Sequence, residues 1–600
     1  MTASVTEKFQ PVFAPRSVAI IGASKSPGKL GSVMAEAMSD YDAPVFLINP
    51  RGGEGMYTSV EEASKAAGHP IDLAILCIPA AFTAASLADC AKGGVKAALL
   101  CAGGFAEAQG EGYQYEEEMQ QAAKETGIII LGPNTSGYFV PGIGLHASFV
   151  PGVAEIPTGA IGVVSASGGV NHSTCFRLQR AGVGISLGVG IGGGVGVNSA
   201  DVVDYLAEDD NTSVIILHLE TIPDGPRLAA SVRRAVQKKP VIGMVIGKHD
   251  VKEFAERHTG SLATSWHATR SILEQAGAVI AEDEQEMVEM AIALEHQRIA
   301  EQRDPGIALL TGQAGTGLIM HDHLLNAEAR FTELQPETIA QIESLLPPMT
   351  FQHNPVDTGR PAINFWEVMK AVTEDPGVSA LGVYSIVESL VHLPTAVEES
   401  GALGKLPVVL GTDSITSSTD KVIADARAKG IPMVLGPTAV ARGVKALARD
   451  GHAQWAIAQP AVAASAELAA KLFDAATAEN TDAAAEVQLV LGAHRDPVFG
   501  PVVTCGLAGT AEVVSEPVIH LAEVSLADAD RVIRTIPGAA LLHDAEGNSK
   551  VDPAELAEIL ATLGKHIADN ESVEKITLKP VAVTAEGLKF GAAEVTNKLD

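Results

Sequence analysis

The sequence predicts an α/β protein of several open, doubly wound parallel sheets, followed by a smaller α+β piece. Three observations predict it. Short apolar strands alternate with amphipathic helical patterns from Ser17 to about Leu435, which is the rhythm of right-handed βαβ units. Strands repeatedly end in glycine-bearing turns, and 59 glycines beside only 4% aromatic residues suit tight strand-to-helix connections. The length of 600 residues is enough for about three or four domains of ordinary size.

The first set of strands reads SVAII (17–21), VFLI (45–48), LAILCI (73–78), AALLC (97–101) and IIIL (128–131). The second reads AIGVVS (160–165), GISLGVG (184–190), SVIILHLE (213–220), PVIGMVIG (240–247) and AVIA (278–281). A third begins after the charged stretch Glu301–Asp304, with GIALLT (306–311), ALGVYSI (380–386), PVVLGT (407–412) and PMVLG (432–436). Each set fits an open doubly wound sheet. Residues 458–485 are rich in Ala, Glu and Asp and read as a linker with one amphipathic helix. The last stretch mixes QLVLGA, GPVVTCG and VIHLAEV with a helix around Pro553–Ile567. The expected divisions are 1–140, 141–300, 301–455, a linker 456–486, and 487–600.

Composition excludes some functions. A net charge of −31 repels nucleic-acid phosphates and anionic membranes, so neither is expected as a partner. Anionic substrates then need local positive sites. No run of about 18 apolar residues predicts a transmembrane helix, and the polar start of the chain carries no signal core. The five cysteines, Cys77, Cys90, Cys101, Cys175 and Cys505, are spaced for neither a zinc site nor a disulfide framework. Reduced thiols in a cytoplasmic protein fit that pattern.

The first motif is VAIIGASKSPGKLGSVM. It places Gly22 and Ser24 just after a strand, with a helix opening near Lys29. Glycine lets the backbone approach a ligand, and a helix N-terminus offers free N–H groups to a phosphate. The spacing is not GxGxxG, and a tight turn that binds nothing is the alternative. The second strand ends in INPRGG with Asn49 and Arg51. The third ends in CIPAAF with Pro79, and the fourth in CAGGFAE. All four ends face one crevice, where Arg51 can pair with a phosphate.

The second motif is His258-Thr259-Gly260-Ser261, between a strand and an amphipathic helix. A histidine in a polar, glycine-containing loop is open to reaction, with His172, His249 and His267 as competitors. Two further turns bear on it. SASGGV carries Ser167, Gly168 and Gly169, and TGQAGTGL carries Gly315, Thr316 and Gly317. Each opens a helix at the carboxyl edge of a sheet, and two such ends can flank one phosphorylated side chain. Glu220 ends a strand on the same edge. It can orient an imidazole through one nitrogen and leave the other nucleophilic, or it can simply cap a turn.

Taken in order, the GAS turn, INPR, GFAE, GPN (132–134), SASGG, LHLE, HTGS, TGQAGTG and NPVD (354–357) resemble the NDP-forming acyl-CoA synthetases. That is the superfamily of succinyl-CoA synthetase and ADP-forming acetyl-CoA synthetase. The resemblance covers residues 12 to about 450, and 487–600 more loosely. It implies a Rossmann-like CoA-binding domain, two flavodoxin-like domains and a C-terminal remnant of an ATP-grasp domain. It implies CoA near Gly22, Ser24, Lys29, Asn49, Arg51 and Pro79, phosphorylation of His258, and Glu220 as the group orienting it. The phosphate-binding helix starts are then Ser167–Gly169 and Gly315–Gly317. The implied enzyme is an oligomeric acid–CoA ligase (ADP-forming) acting through an acyl phosphate on a carboxylic acid.

The chain also departs from that family. The first half of an ATP-grasp domain has no counterpart here. Where the family places magnesium ligands, this chain has Thr577, Lys579 and Gly591, and an ammonium group cannot ligate Mg²⁺. No metal ligand is therefore assigned in this chain, and ATP with Mg²⁺ is expected through a separate ATP-grasp subunit. In GIGGGVGVNSAD (190–201), Gly193 and Gly194 stand where relatives carry Asn and an acidic residue, which makes the acid hard to infer. A non-catalytic CoA or acyl-CoA binding protein and a ligase-derived lyase or transferase are the rival readings.

Overall fold

The computed structural model describes residues 4–248, 265–326, 330–360, 362–386, 391–413, 417–473, 487–508, 517–545 and 547–598. The first sheet holds Val45–Ile48, Val18–Ile21, Leu73–Leu76, Ala97–Leu100 and Ile129–Leu131 in that spatial order, all parallel. Helices cover both faces, so the strands are continuous aliphatic runs rather than alternating ones.

The second sheet repeats the order with Val279–Ile280, Val241–Val245, Val214–Leu219, Thr158–Ser165 and Ile185–Gly190. The third does so again with Val356–Asp357, Ile307–Thr311, Ala380–Tyr384, Val408–Thr412 and Met433–Leu435. In each, the chain reverses its winding beside the first strand, which opens a crevice at the carboxyl ends.

Three strands were not legible in the sequence. Val356–Asp357 is only two residues long. The hairpin Gly137–Val140 with Leu145–Ser148 extends the second sheet antiparallel, with Tyr138 opposite Val189. Residue 140, the expected first boundary, falls inside that hairpin. Tyr138 is fully buried and donates its hydroxyl to the Val12 carbonyl. Phe13 packs edge-on to it at 5.6 Å. The N-terminal helix Val5–Phe13 thereby ties the first sheet to the second in one core.

A second core joins the second and third domains. It takes Cys175 and Leu178 from helix Gly168–Arg180, Met287 and Met290 from Glu284–Leu294, Met320 and Leu324 from Ala314–Asn326, and Val440 and Val444 from Pro437–Ala458. Lys445 and Glu286 form a buried ion pair within it, flanked by Arg442 at 3.1 Å from Glu289.

The C-terminal sheet is antiparallel: Val518–Leu521, Gly500–Leu507, Gln488–Asp496, Val573–Thr584 and Gly587–Phe590, with Glu594–Asn597 also on Val573–Thr584. Helices Leu526–Thr535 and Pro553–Asp569 cover it. The stretch read as a linker is anchored before residue 474: Val462 N–H donates to Val524 O at 2.8 Å, and Leu472 is fully buried in the C-terminal core. This domain docks on helix Trp266–Gln275. The Gln275 amide donates to Glu523 O at 2.9 Å and accepts from Leu521 N–H at 2.8 Å. Phe499 fills the space over Gly225, where a Cβ would stand 2.5 Å from its ring. Among the described residues no helix is long and apolar enough to cross a membrane.

Candidate functional site

The first crevice is built around Gly22. Its φ is +82°, and a Cβ there would lie 2.6 Å from the Cys77 carbonyl, so only glycine fits. The N–H groups of Gly22 and Ala23 donate to Ile48 O at 3.0 and 3.1 Å. Asn49 Nδ2 donates to Ala23 O at 2.9 Å, and its Oδ1 accepts from Arg51 N–H at 3.0 Å. Asn49 therefore stitches two strand ends together and has little side chain left for a ligand. Ser24 Oγ accepts from Ser26 N–H at 3.1 Å.

Helix Leu30–Ala37 follows, with Lys29 as its N-cap and no side-chain hydrogen bond closing it. Gly31 lets the helix sit directly on the turn, since a Cβ would be 2.1 Å from Gly22 O. Lys29 and Arg51 are exposed, and Pro79 stands exposed at the end of the third strand. A backbone cradle beside an open helix start and two exposed cations fits the phosphates of CoA. Cys77 in this crevice is no nucleophile, because burial pushes its thiol up to about 12.

The second crevice lies where strand Thr158–Ser165 meets Val214–Leu219. Ser167 caps helix Gly168–Arg180 by accepting from Val170 N–H at 3.4 Å. Gly168 is jammed against Ser136, whose Oγ a Cβ would meet at 2.1 Å, while Gly169 has nothing nearer than 3.7 Å. Ser165 Oγ donates to Ser167 O at 2.8 Å and contacts His218 Nδ1 at 2.9 Å. His218 is fully buried with Nε2 unpartnered, and burial lowers its pKa to about 4. It therefore stays neutral and holds the turn. Glu220 follows two residues on, half-buried.

His258, with Thr259, Gly260 and Ser261, lies outside the described residues, as does His249. His172 is buried, its Nδ1 2.6 Å from Gly168 O and its Nε2 2.9 Å from Ser148 Oγ. Both ring nitrogens are engaged, so it is not open to phosphorylation. His267 stacks edge-on against Trp266 at 4.9 Å. The indole of Trp266 donates to Val245 O at 2.8 Å. This bond clasps the two ends of the segment that carries His258.

The third crevice has the same construction. Thr311 and Thr316 hydroxyls meet at 2.9 Å, and Thr316 donates to Gln313 O at 2.7 Å. Thr316 thus closes the turn with its hydroxyl. Gly315 faces open space, whereas Gly317 packs on Thr311, a Cβ there falling 2.8 Å from its Cγ2. In both crevices the side chains stabilise the turn, and the backbone amides of the helix start are what a phosphate would meet.

A cavity of about 520 Å³ opens beside Gly169, bounded also by Phe176, Arg177 and Arg180. These residues were not singled out from the sequence. Their spacing from Gly169 along a single helix face was the available signal. The glycine run at 192–196 presses on the end of the first domain. A Cβ at Gly192 would come 2.4 Å from Pro133 O, and one at Gly196 2.3 Å from Ile130 O. That close approach accounts for glycine at those two positions.

In the C-terminal domain Thr577 and Lys579 lie on strand Val573–Thr584, and Gly591 follows strand Gly587–Phe590. Among the described residues no group of three or more His, Cys, Asp or Glu could hold a metal ion. The residues at these positions do not fit Mg²⁺.

Comparison with known proteins gives three family matches in chain order. A CoA binding domain matches residues 16–140, a succinyl-CoA ligase like flavodoxin domain matches 158–294, and an ATP-grasp domain matches 441–596. The chain is similar to the alpha subunit of the ADP-forming acetate–CoA ligase II of Pyrococcus furiosus, with 29% identity over 73% of this chain and 97% of that one. It is similar to the ADP-forming acetate–CoA ligase I of Archaeoglobus fulgidus, with 24% identity over 96% of this chain and 98% of that one.

Among solved structures it resembles the dinucleotide forming acetyl-coenzyme A synthetase 1 of Ca. Korarchaeum cryptofilum in complex with phosphate and ADP. The TM-score is 0.67 and the identity 25%, covering 75% of this chain and 98% of that one. This chain carries an ATP-grasp match of its own, and a relative in one chain aligns along nearly all of it. The expected separate ATP-grasp subunit therefore finds no support in these likenesses. The Archaeoglobus alignment runs over 687 positions against 600 residues here, so that relative carries segments this chain lacks.

Proposed function

Because the chain belongs to the superfamily of NDP-forming acyl-CoA synthetases, we propose that it is an acid–CoA ligase making acyl-CoA from a carboxylic acid by way of a phosphohistidine at His258. The observation that carries this reading is the pair of open helix starts, Ser167–Gly169 and Gly315–Gly317, on two helices that share one core. Each sits at the carboxyl edge of its sheet, where an anion is stabilised by backbone amides and the helix dipole.

CoA lies along the first crevice, its phosphates against the Gly22 turn, the Leu30 helix start, Lys29 and Arg51. Glu220 accepts one imidazole N–H of His258 and leaves the other nitrogen with its lone pair. That nitrogen attacks the γ-phosphorus of ATP and ADP leaves, at a nucleotide site that this chain does not complete by itself. The carboxylate oxygen of the acid attacks the phosphorus and breaks the N–P bond, giving an acyl phosphate. The CoA sulfur then attacks the acyl carbon, and inorganic phosphate leaves. Positioning and charge stabilisation are what this sequence asks of the protein. The relatives' names support ADP and ATP as the nucleotide pair.

The test runs the reaction backwards, with no nucleotide added. With acetyl-CoA and radiolabelled inorganic phosphate, the full chain takes up acid-labile label. His258→Ala abolishes it, and His249→Ala and His267→Ala keep most of it. Glu220→Gln slows labelling without weakening CoA binding. Absence of any label on the wild-type chain, with CoA binding intact, would overturn the ligase reading in favour of a CoA-binding protein.

A further inference from the structure

The cavity along helix Gly168–Arg180 is larger than a phosphate requires. Its volume is about 520 Å³, and it runs past Gly169, Ser173, Phe176, Arg177 and Arg180 on one helix face. At helical rise, the distance from Gly169 to Arg180 is about 16 Å along the axis. Long helical side chains lean back toward the N-terminus, so the Arg180 head reaches back by about one turn. Roughly 10 Å then separates the amide end of the cavity from its guanidinium end.

The two ends differ in charge. Arg177 is held by Glu284 at 2.7 Å and Gln285 at 3.4 Å. Among the described residues Arg180 has no partner and no acidic side chain lines the cavity. In a chain of net charge −31, a cavity with a cation and no carboxylate is a local reversal of sign that favours anions. Phe176 and Val150 supply its apolar middle.

We propose that this cavity is the acid-binding pocket and that it selects acids carrying a second anionic group, bound by Arg180. The proposal rests on the ligase reading only for which end reacts. The carboxylate to be activated meets the helix start at Gly169, next to where the phosphohistidine delivers its phosphate. The chain of the acid crosses Phe176. The distal carboxylate or sulfonate takes the planar fork of Arg180 in bidentate fashion, and Arg177, already half-neutralised by Glu284, adds the weaker contact.

The test is calorimetry on the full chain without CoA or nucleotide, so that binding is read apart from catalysis. Suberate, an eight-carbon α,ω-dicarboxylate, is compared with octanoate. Suberate should bind about tenfold more tightly than octanoate, the worth of one charge-assisted contact. Arg180→Gln should remove that advantage while leaving octanoate unchanged, and Ser173→Phe, which fills the cavity, should abolish binding of both. Thermal melts of the variants check their folding. Equal affinity for the two acids in the wild type, or a preference that survives Arg180→Gln, would overturn the proposal. If the preference persists but the wild-type chain takes up no label from acetyl-CoA and inorganic phosphate, the ligase reading falls and the pocket stands. If label is taken up and the preference is missing, only the pocket falls.

Discussion

At the scale of single residues, one or two side chains set each turn: Asn49 Nδ2 reaches Ala23 O at 2.9 Å, and Ser165 Oγ lies 2.9 Å from His218 Nδ1. Gly22 was legible because a strand followed by glycine and an open helix start has one steric explanation. Asn49 was not, since nothing in INPR says that its amide bridges two strand ends, with bonds of 2.9 and 3.0 Å. The task of His218 was hidden, since LHLE gives no sign that its histidine holds a turn. Its burial carries a titration consequence. An unfolded histidine titrates near 6.5, whereas the folded His218 stays neutral down to about 4. Below pH 6.5 the unfolded chain takes up a proton that the folded one refuses, so this residue's share of stability is lost as pH falls. The loss amounts to about 2 kcal/mol by pH 5. Urea unfolding at pH 7 and pH 5 should show wild type losing about 2 kcal/mol more than His218→Asn. Equal losses would mean that His218 is not buried as described.

At the scale of elements, helices and long parallel strands came through because their apolar periodicity is strong. The two-residue strand Val356–Asp357 and the hairpin at Gly137–Ser148 did not, because short strands paired by tertiary contacts leave no period to read. The helix start at Ser167 shows how adjacent glycines can serve opposite purposes. Gly168 has no room, with Ser136 Oγ 2.1 Å and Ser136 N 3.1 Å from a would-be Cβ, while Gly169 has nothing within 3.7 Å. Gly168→Ala should therefore destabilise by about 1–3 kcal/mol through overpacking. Gly169→Ala should be neutral or stabilise by up to about 1 kcal/mol, since alanine is the better helix former. Denaturant midpoints of the two variants check this, and the opposite ranking would contradict the packing of the helix on the hairpin.

At the scale of the whole molecule, the order of the parts was legible from motifs alone, whereas the way they interlock was not. Thr577, Lys579 and Gly591 offer no carboxylate to Mg²⁺, which predicts that Mg-ATP added to the chain alone gives no saturable rise in melting temperature, whereas CoA does. A saturable rise with Mg-ATP would place a working nucleotide site in the chain despite those residues. The bond pair of Gln275 with Leu521 and Glu523 has a different kind of consequence, one of colloidal behaviour. Strand Val518–Leu521 is the last of its sheet, and a bare strand border is a template on which other chains can add. Gln275 offers that border one donor and one acceptor, as a neighbouring strand would, and so acts as a stopper. Gln275→Ala should leave the secondary structure unchanged yet make the protein scatter light on warming, below the temperature at which it unfolds.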